Sequence, residues 1–207
     1  MNIKLKSVRE DSVVLSPKEK LLQHFWVFIA GVVLGSFAKY ADTVPSNVIP
    51  GLSDIFSYLG LYIFLVTLLA AWSHSPKTAA INSLLFLLAL VETYYLYSFL
   101  LYGFIAIKHF MFWNFIAFIS PIPAYILWYS RGKGLLADLC AAFPIGFLLN
   151  EGFSFFYVLP LHAFQLGFDL LIALILLFIL PQNQNQRIRV SLFSIIIFIL
   201  MISLTYG

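Results

Sequence analysis

Long apolar stretches alternate with short polar connections along almost the whole chain, and seven of the stretches approach the length of a membrane span. A helix needs about 20 predominantly apolar residues to cross the hydrocarbon core of a bilayer. The pattern therefore predicts an all-α, polytopic transmembrane helix bundle of about seven spans. The predicted spans are residues 21–40, 54–72, 79–102, 110–129, 135–159, 163–180 and 190–206.

The polar residues gather at the N-terminus and in short connections, so the chain divides into a basic tail, residues 1–20, and a single transmembrane helical domain, residues 21–207. Hydrophobic residues make up 62% of the chain and charged residues 10%, whereas a typical soluble domain is about half apolar and about a quarter charged. The lipid bilayer is therefore an expected partner. We expect no nucleic-acid partner, because no polar segment carries a basic stripe with interleaved aromatic residues.

The distribution of basic residues predicts the orientation, because cytoplasmic connections carry the excess of Lys and Arg. With seven spans, ten basic residues fall on the side of the N-terminus and two on the other side. This predicts a cytoplasmic N-terminus, a cytoplasmic tail and an external C-terminus. The inner set is Lys4, Lys6, Arg9, Lys18, Lys20, Lys77, Arg131, Lys133, Arg187 and Arg189, and the outer set is Lys39 and Lys108.

Local signals predict helix starts, a kink and a close contact. Residues 16–19, Ser-Pro-Lys-Glu, form a capping box, and residues 75–77, Ser-Pro-Lys, repeat its first half. The prolines of residues 120–123, Ser-Pro-Ile-Pro, predict either a discontinuous helix that lines a binding site or a simple kink. Gly31 and Gly35 are spaced for close helix packing within the bundle.

Acidic residues within the spans are the candidates for function, because an acid at the centre of a spanning helix costs about 2.5–3.5 kcal/mol. We predict that Glu92, Glu151 and Asp169 converge on an outward-facing polar cavity that binds a small molecule or a cation. The alternative is that each acid is protonated or hydrogen-bonded and serves only in packing. The full set of predicted ligand-binding residues is Glu92, Tyr95, Asn114, Glu151, His162, Gln165 and Asp169.

Other chemistry-bearing residues have simpler interpretations. Asp138 is expected to form an interfacial ion pair near Arg131 and Lys133. Cys140 is the only cysteine and is expected to be a buried thiol. The histidines lack a spacing that would bring two onto one metal, so we expect neither a metal site nor a cofactor. Signatures such as His-Glu-x-x-His are absent, and we expect a protein that is not an enzyme.

From about His24 onwards the layout resembles a family of small bacterial integral membrane proteins classed only as a domain of unknown function. The resemblance implies a fold and a bacterial plasma membrane, with no activity to transfer. This chain has more Phe and Ile than the Ala-rich members of that family. The features that carry the resemblance are Gly31 to Gly35, Glu92-Thr93-Tyr94-Tyr95, the Trp113 region, Arg131-Gly132-Lys133-Gly134 and Asn150-Glu151-Gly152.

Two classes of function remain open. The first is a small-solute or cation binding or transport protein, which requires a real outer cavity and converging acids. The second is a non-catalytic helper, such as an assembly, immunity or stabilising subunit, which requires only packing faces, with a partner membrane protein as a candidate partner and no ligand. A lipid-exposed stripe of small residues would favour the helper.

Overall fold

The computed structural model describes residues 8–10, 15–153 and 163–206, and within these ranges the chain is helical without any strand. This confirms the all-α prediction. His162, residues 154–159 of the fifth predicted span and most of the basic tail lie outside the described residues. The helices are α1 Pro17–Thr43, α2 Leu52–Ser57, α3 Leu59–Ala71, α4 Pro76–Tyr102, α5 Ile107–Ile119, α6 Pro121–Leu127, a 3₁₀ turn Trp128–Arg131, α7 Leu135–Phe153, α8 Ala163–Ile179 and α9 Gln184–Tyr206.

Five helical segments of the described chain are long and apolar enough to cross a membrane, which indicates a membrane protein. They are α1, α4, the run Ile107–Arg131, α7 and residues 184–204 of α9. The apolar helices α3 and α8 are shorter. Within the described residues, each of the seven predicted spans overlaps helix, although only five helical segments there have the length of a span.

The predicted helix starts have the expected geometry. The Ser16 side chain accepts from the Glu19 backbone N–H while the Glu19 carboxylate accepts from the Ser16 backbone N–H, a complete capping box. Ser75 caps α4 in the same way through the Thr78 N–H. Gly103, at φ 73°, ends α4, a backbone conformation that favours glycine.

The proline-rich segment in the middle of the fourth predicted span is a kink. Ser120 keeps right-handed helical angles, φ −52° and ψ −28°. Its N–H donates to the Ile116 carbonyl, and the Ala124 N–H donates to the Ser120 carbonyl, so the helical hydrogen bonds continue across the junction. The simple-kink interpretation therefore describes the backbone here.

Helices α1 and α4 run parallel and in close contact. A Cβ added to Gly31 would collide with the Phe86 carbonyl oxygen, and one added to Gly35 would collide with the Leu90 carbonyl oxygen. Later residues of α1 thus contact later residues of α4, so the two helices run in the same direction. The glycine pair packs within the bundle, as predicted, and is covered by α4.

Helices α7 and α9 form a second parallel pair. Asp138 contacts Arg189, the Ser194 hydroxyl donates to the Ala142 carbonyl, and Gly146 packs against Ile197. The short α3 lies between the two pairs, because its residues belong to both hydrophobic cores. A helix that is apolar on all sides, as α3 is, fits such a buried position.

The ion pair expected for Asp138 is formed with Arg189 of α9, since the Arg189 Nε lies 2.5 Å from the Asp138 Oδ2. The nearby arginine in the sequence, Arg131, instead stacks over Trp72 at 4.2 Å. Asp138 is fully buried. The free thiol of Cys140 is also buried, as predicted.

Candidate functional site

A cavity of about 410 Å³ lies where the end of α1, the α2–α3 junction, the second half of α4 and the start of α5 meet. Aromatic side chains dominate its lining, together with two basic groups. The residues that give it this character are Tyr62, Tyr94, Tyr95, Tyr102, Trp113, Lys39 and His109. We call this space the tyrosine cavity.

The helical repeat explains how α4 supplies so much of the lining. Tyr94, Ser98 and Tyr102 follow one another at intervals of four residues, and such positions share one face of a helix. Tyr95 extends this face by one position and is 6% exposed. One side of the outer part of α4 is therefore built from aromatic rings and hydroxyl groups.

Edge-to-face contacts fix the aromatic rings around the cavity. The ring centres of Tyr95 and Phe110 are 5.1 Å apart, and those of Tyr62 and Trp113 are 5.4 Å apart. The Tyr62 hydroxyl donates to the Phe56 carbonyl at 2.5 Å. Such pairs contribute about 0.5–1.5 kcal/mol beyond burial of their area, so the cavity has stable walls.

Lys39 brings a buried cation to this aromatic lining. The residue is 7% exposed, and its ammonium lies 4.9 Å from the ring centre of Tyr94 and 5.1 Å from that of Tyr102. Its charge partner is the Asp42 carboxylate, with Nζ 3.7 Å from Oδ2. The two groups therefore form an ion pair, but the distance between them is too long for a hydrogen bond.

Asp42 has its own hydrogen-bond donors. The Tyr94 hydroxyl donates to its Oδ2, and the Ser53 hydroxyl donates to its Oδ1 at 3.2 Å. Asp42 stands beside the cavity without lining it, and no Asp or Glu is among the described residues of the lining. The cavity thus presents basic groups, hydroxyls and aromatic faces.

Of the predicted site residues that the structure describes, only Tyr95 lines the tyrosine cavity. Glu92 is exposed on α4 although it is three residues from the buried Tyr95, because the contact with α1 rotates the helix so that Tyr95 faces inward. The Asn114 amide donates to the Phe110 carbonyl of its own helix at 3.2 Å. The expectation that Glu92 and Tyr95 share a site face is not met.

A second polar group lies between α3, α7 and α8. The Gln165 amide donates to the Asp169 carboxylate, and Asp169 is 1% exposed. A Cβ added to Gly60 would collide with the Asp169 carboxylate, while Glu151 is close enough to influence it electrostatically. Three predicted site residues are therefore brought together, and their assignment to a ligand stays a prediction.

Helix α3 separates this carboxyl group from the tyrosine cavity. Gly60 contacts Asp169, and Tyr62 lines the cavity. Two residues apart on a helix, at about 100° per residue, they lie on nearly opposite sides. The structure thus divides the single predicted cavity into two polar regions on either side of α3.

Sequence reasoning missed Lys39 and Asp42. Their spacing of three residues near the end of a span is a usable signal for an ion pair, but it does not reveal the aromatic rings of α4 that surround the ammonium. Within the described residues, no group of three or more His, Cys, Asp or Glu is arranged to hold a metal ion.

Comparison with known proteins identifies a family for this chain. The model of a family of unknown function, DUF6518, matches residues 15–207. This confirms the resemblance to a domain family of unknown function. No curated protein and no solved structure matches the chain.

Proposed function

Since the chain belongs to the family of unknown function DUF6518, we propose its role from the site itself: it is a multi-pass membrane protein that binds a small organic solute and carries it across the membrane. The observation that supports this is the tyrosine cavity of about 410 Å³ with the buried Lys39 at its wall. Ligand sites are typically cavities of about 300–1,000 Å³ with apolar and aromatic walls and a few polar groups. No enzymatic step is part of the proposal.

Seven membrane crossings are the topology that we propose for this bundle. The parallel course of α1 and α4 requires the chain to return between them, and α2 with α3 supplies that return. The parallel course of α7 and α9 gives α8 the same role. A 13-residue helix such as α3 is about 20 Å long. Because α3 is buried among longer helices, it does not have to span the full thickness of the bilayer by itself.

The proposed orientation has a cytoplasmic N-terminus and an external C-terminus in a bacterial plasma membrane. Arg9, Arg131 and Lys133 gather at one end of the bundle, which fits the cytoplasmic side. Lys39 and the tyrosine cavity lie towards the opposite end. The cavity then opens to the outside, where a solute would enter.

Cysteine labelling tests this orientation. In a Cys140→Ser background, Lys108→Cys should react with a membrane-impermeant maleimide in intact cells, and Lys133→Cys should react only after permeabilisation. The reverse pattern would overturn the orientation. Equal labelling of both positions in intact cells would overturn the crossing of the membrane between them.

Thermal stability of the purified protein in detergent tests solute binding, because a ligand of the folded state raises the melting temperature in a saturable way. We expect stabilisation by at least one of the aromatic solutes phenol, benzamide and benzoate. Ser98→Phe, which fills the cavity from α4, should abolish the effect. Ala30→Phe, on the exposed face of α1, is the matched control and should retain it. Stabilisation that survives in Ser98→Phe would place the ligand elsewhere.

A helper role is the second candidate, favoured by one observation. Glu92 is exposed in an otherwise apolar part of α4, where an acid facing lipid is costly and a partner helix could supply a donor. A photoreactive amino acid at position 92 should then crosslink to one discrete membrane protein in native membranes. The same group at Leu100, which is 72% exposed on the same helix, should not. Crosslinking to lipid alone at both positions would exclude the helper role at this face.

A further inference from the structure

We propose that the solute is an organic anion, whose carboxylate binds the Lys39 ammonium while its apolar body lies among the rings of the tyrosine cavity. This inference rests on the proposed solute binding and specifies the ligand of that site. Three observations support it: the environment of Lys39, the charge of the residues that line the cavity, and the aromatic rings in that lining.

The Lys39 ammonium has capacity for a further acceptor. It carries three N–H donors, while its side chain is 9% exposed and its ion-pair partner Asp42 lies 3.7 Å away. Among the described residues, no hydrogen bond from Lys39 accompanies this ion pair. Because Lys39 lines the cavity, these donors are available to an acceptor that a ligand brings into it.

Asp42 lies outside hydrogen-bond distance of the Lys39 ammonium, with Nζ 3.7 Å from Oδ2, so it accepts none of that group's donors. Its carboxylate already accepts from the Tyr94 hydroxyl and from the Ser53 hydroxyl, which hold it on the wall beside the cavity. A ligand carboxylate can therefore approach Lys39 from the cavity side while Asp42 remains in place. The Lys39 ammonium would then lie between the Asp42 carboxylate and the carboxylate of the bound ligand.

The lining disfavours a cationic solute. Its two basic groups are Lys39 and His109, and its described residues include no acid. The faces of Tyr94 and Tyr102, which would otherwise attract a cation, are already occupied by the Lys39 ammonium. The described lining therefore offers a second cation no carboxylate.

The remaining walls select the body of the anion. Tyr95, Trp113 and Leu90 present rings and an apolar side chain to the same space. A ring-bearing monocarboxylate would place its ring against these side chains and its charge at Lys39. The class of solute that fits is therefore an aromatic monocarboxylate.

Isothermal titration calorimetry of the full-length protein in detergent, with three probes of matched shape, tests this inference. The probes are phenylacetate, phenylacetamide and phenethylammonium. We expect phenylacetate to bind at least about tenfold more tightly than the amide, the difference expected from one charge-assisted hydrogen bond. Phenethylammonium should bind most weakly.

Variants test whether Lys39 causes the preference for phenylacetate over phenylacetamide. Lys39→Met should reduce phenylacetate binding to the level of the amide and leave amide binding within about twofold, because it removes the charge and keeps the apolar stem. Lys108→Met, an exposed position near the same end of the bundle, should keep the preference. An unchanged preference in Lys39→Met would assign anion recognition to another group and overturn the inference.

The three probes separate failure of the inference from failure of the proposed function. If all three bind to the wild-type protein with similar affinity, or the ammonium binds best, solute binding stands and the anion is wrong. If none binds, and none of the aromatic solutes stabilises the protein, both are wrong. The comparison among probes uses only the wild-type protein, so it holds even if Lys39→Met fails to fold.

Discussion

Two ion pairs among the described residues join an acid and a base of apolar helices, and they differ in how closely the base approaches the acid. Arg189 and Asp138 are 2.5 Å apart, with Asp138 fully buried and the Arg189 side chain 42% exposed. Lys39 and Asp42 are 3.7 Å apart, and both side chains are largely buried. We call the first pair closed, because its base donates directly to its acid, and the second open, because its cation lies at the wall of a cavity.

The difference follows from what surrounds each base. Arg189 lies near the start of α9 and keeps part of its guanidinium in solvent while its Nε donates to the carboxylate. Lys39 lies near the end of α1 behind the rings of Tyr94 and Tyr102. Two features thus distinguish an ion pair that only stabilises the fold from one that a ligand can reach. They are the distance between the acid and the base, and the space beside the cation.

Removing the base from the closed pair should have the largest effect on stability. In Arg189→Met the fully buried Asp138 carboxylate loses its partner, and its Oδ1 already lacks a hydrogen bond. Breaking a fully buried pair costs about 3–5 kcal/mol. Because the Arg189 side chain is 42% exposed, we expect a loss near the lower end of that range, about 3 kcal/mol. Unfolding of the variant by a denaturing detergent in mixed micelles measures this loss.

Lys77→Met is the control for that variant. Lys77 is exposed in the first turn of α4, so its replacement should change the free energy of unfolding by less than about 0.5 kcal/mol. If Arg189→Met and Lys77→Met have the same free energy of unfolding, the ion pair between Arg189 and Asp138 contributes no more to stability than an exposed lysine.

Disturbing the contact that positions Lys39 should have the next largest effect. Gly35 lies one helical turn before Lys39, and in Gly35→Val the new side chain would collide with the Leu90 carbonyl. Overpacking of this kind costs about 1–3 kcal/mol. Because α1 must shift on α4, the same variant should also lose ligand stabilisation, which thermal melting measures with and without phenylacetate.

Ala30→Val is the control, since Ala30 is exposed on the same helix. It should keep both the melting temperature and the ligand effect. Full ligand stabilisation in Gly35→Val would mean that the position of Lys39 does not depend on the contact between α1 and α4.

The main elements of this fold could be predicted from the sequence because their signals are local. The apolar lengths located the helices, Ser16 with Glu19 predicted a helix start, and the Gly31–Gly35 spacing predicted a close contact that α4 fulfils. The central place of α3 could not be predicted, because a helix that is apolar on all sides shows the same pattern whether it faces lipid or protein.

The candidate site was only partly predictable for the same reason. Gln165 and Asp169 share a helix face at a spacing of four, and they do meet. Glu92 was grouped with Tyr95 by spacing, yet the orientation of α4 depends on its contact with α1. Lys39 meets Tyr94 only through tertiary packing, which periodicity within either helix does not encode.

Loss of one hydroxyl should have a smaller effect on the open pair. The Tyr94 hydroxyl donates to Asp42, and hydrogen bonds to charged groups contribute about 1.5–3 kcal/mol. Because Asp42 keeps the Ser53 donor, Tyr94→Phe should cost about 1.5–2 kcal/mol, at the lower end of that range. Detergent unfolding measures the cost, and Tyr97→Phe on the same helix is the control, expected within error of wild type. Equal stability of the two variants would show that Asp42 does not depend on Tyr94.

The smallest expected effect on stability comes from the ring at the mouth of the cavity. Tyr102 is 53% exposed and provides one of the two faces on Lys39, so Tyr102→Leu should cost about 0.5–1 kcal/mol, as for an exposed cation–π contact. The Lys39 ammonium would then have one competitor fewer, and phenylacetate should bind as tightly as before or more tightly. Tyr40→Leu, at an equally exposed tyrosine of α1, should change neither quantity. Stability and affinity that fall together in Tyr102→Leu would mean that the ring itself contacts the ligand, whereas opposite changes would confirm that the ring and the ligand compete for the same cation.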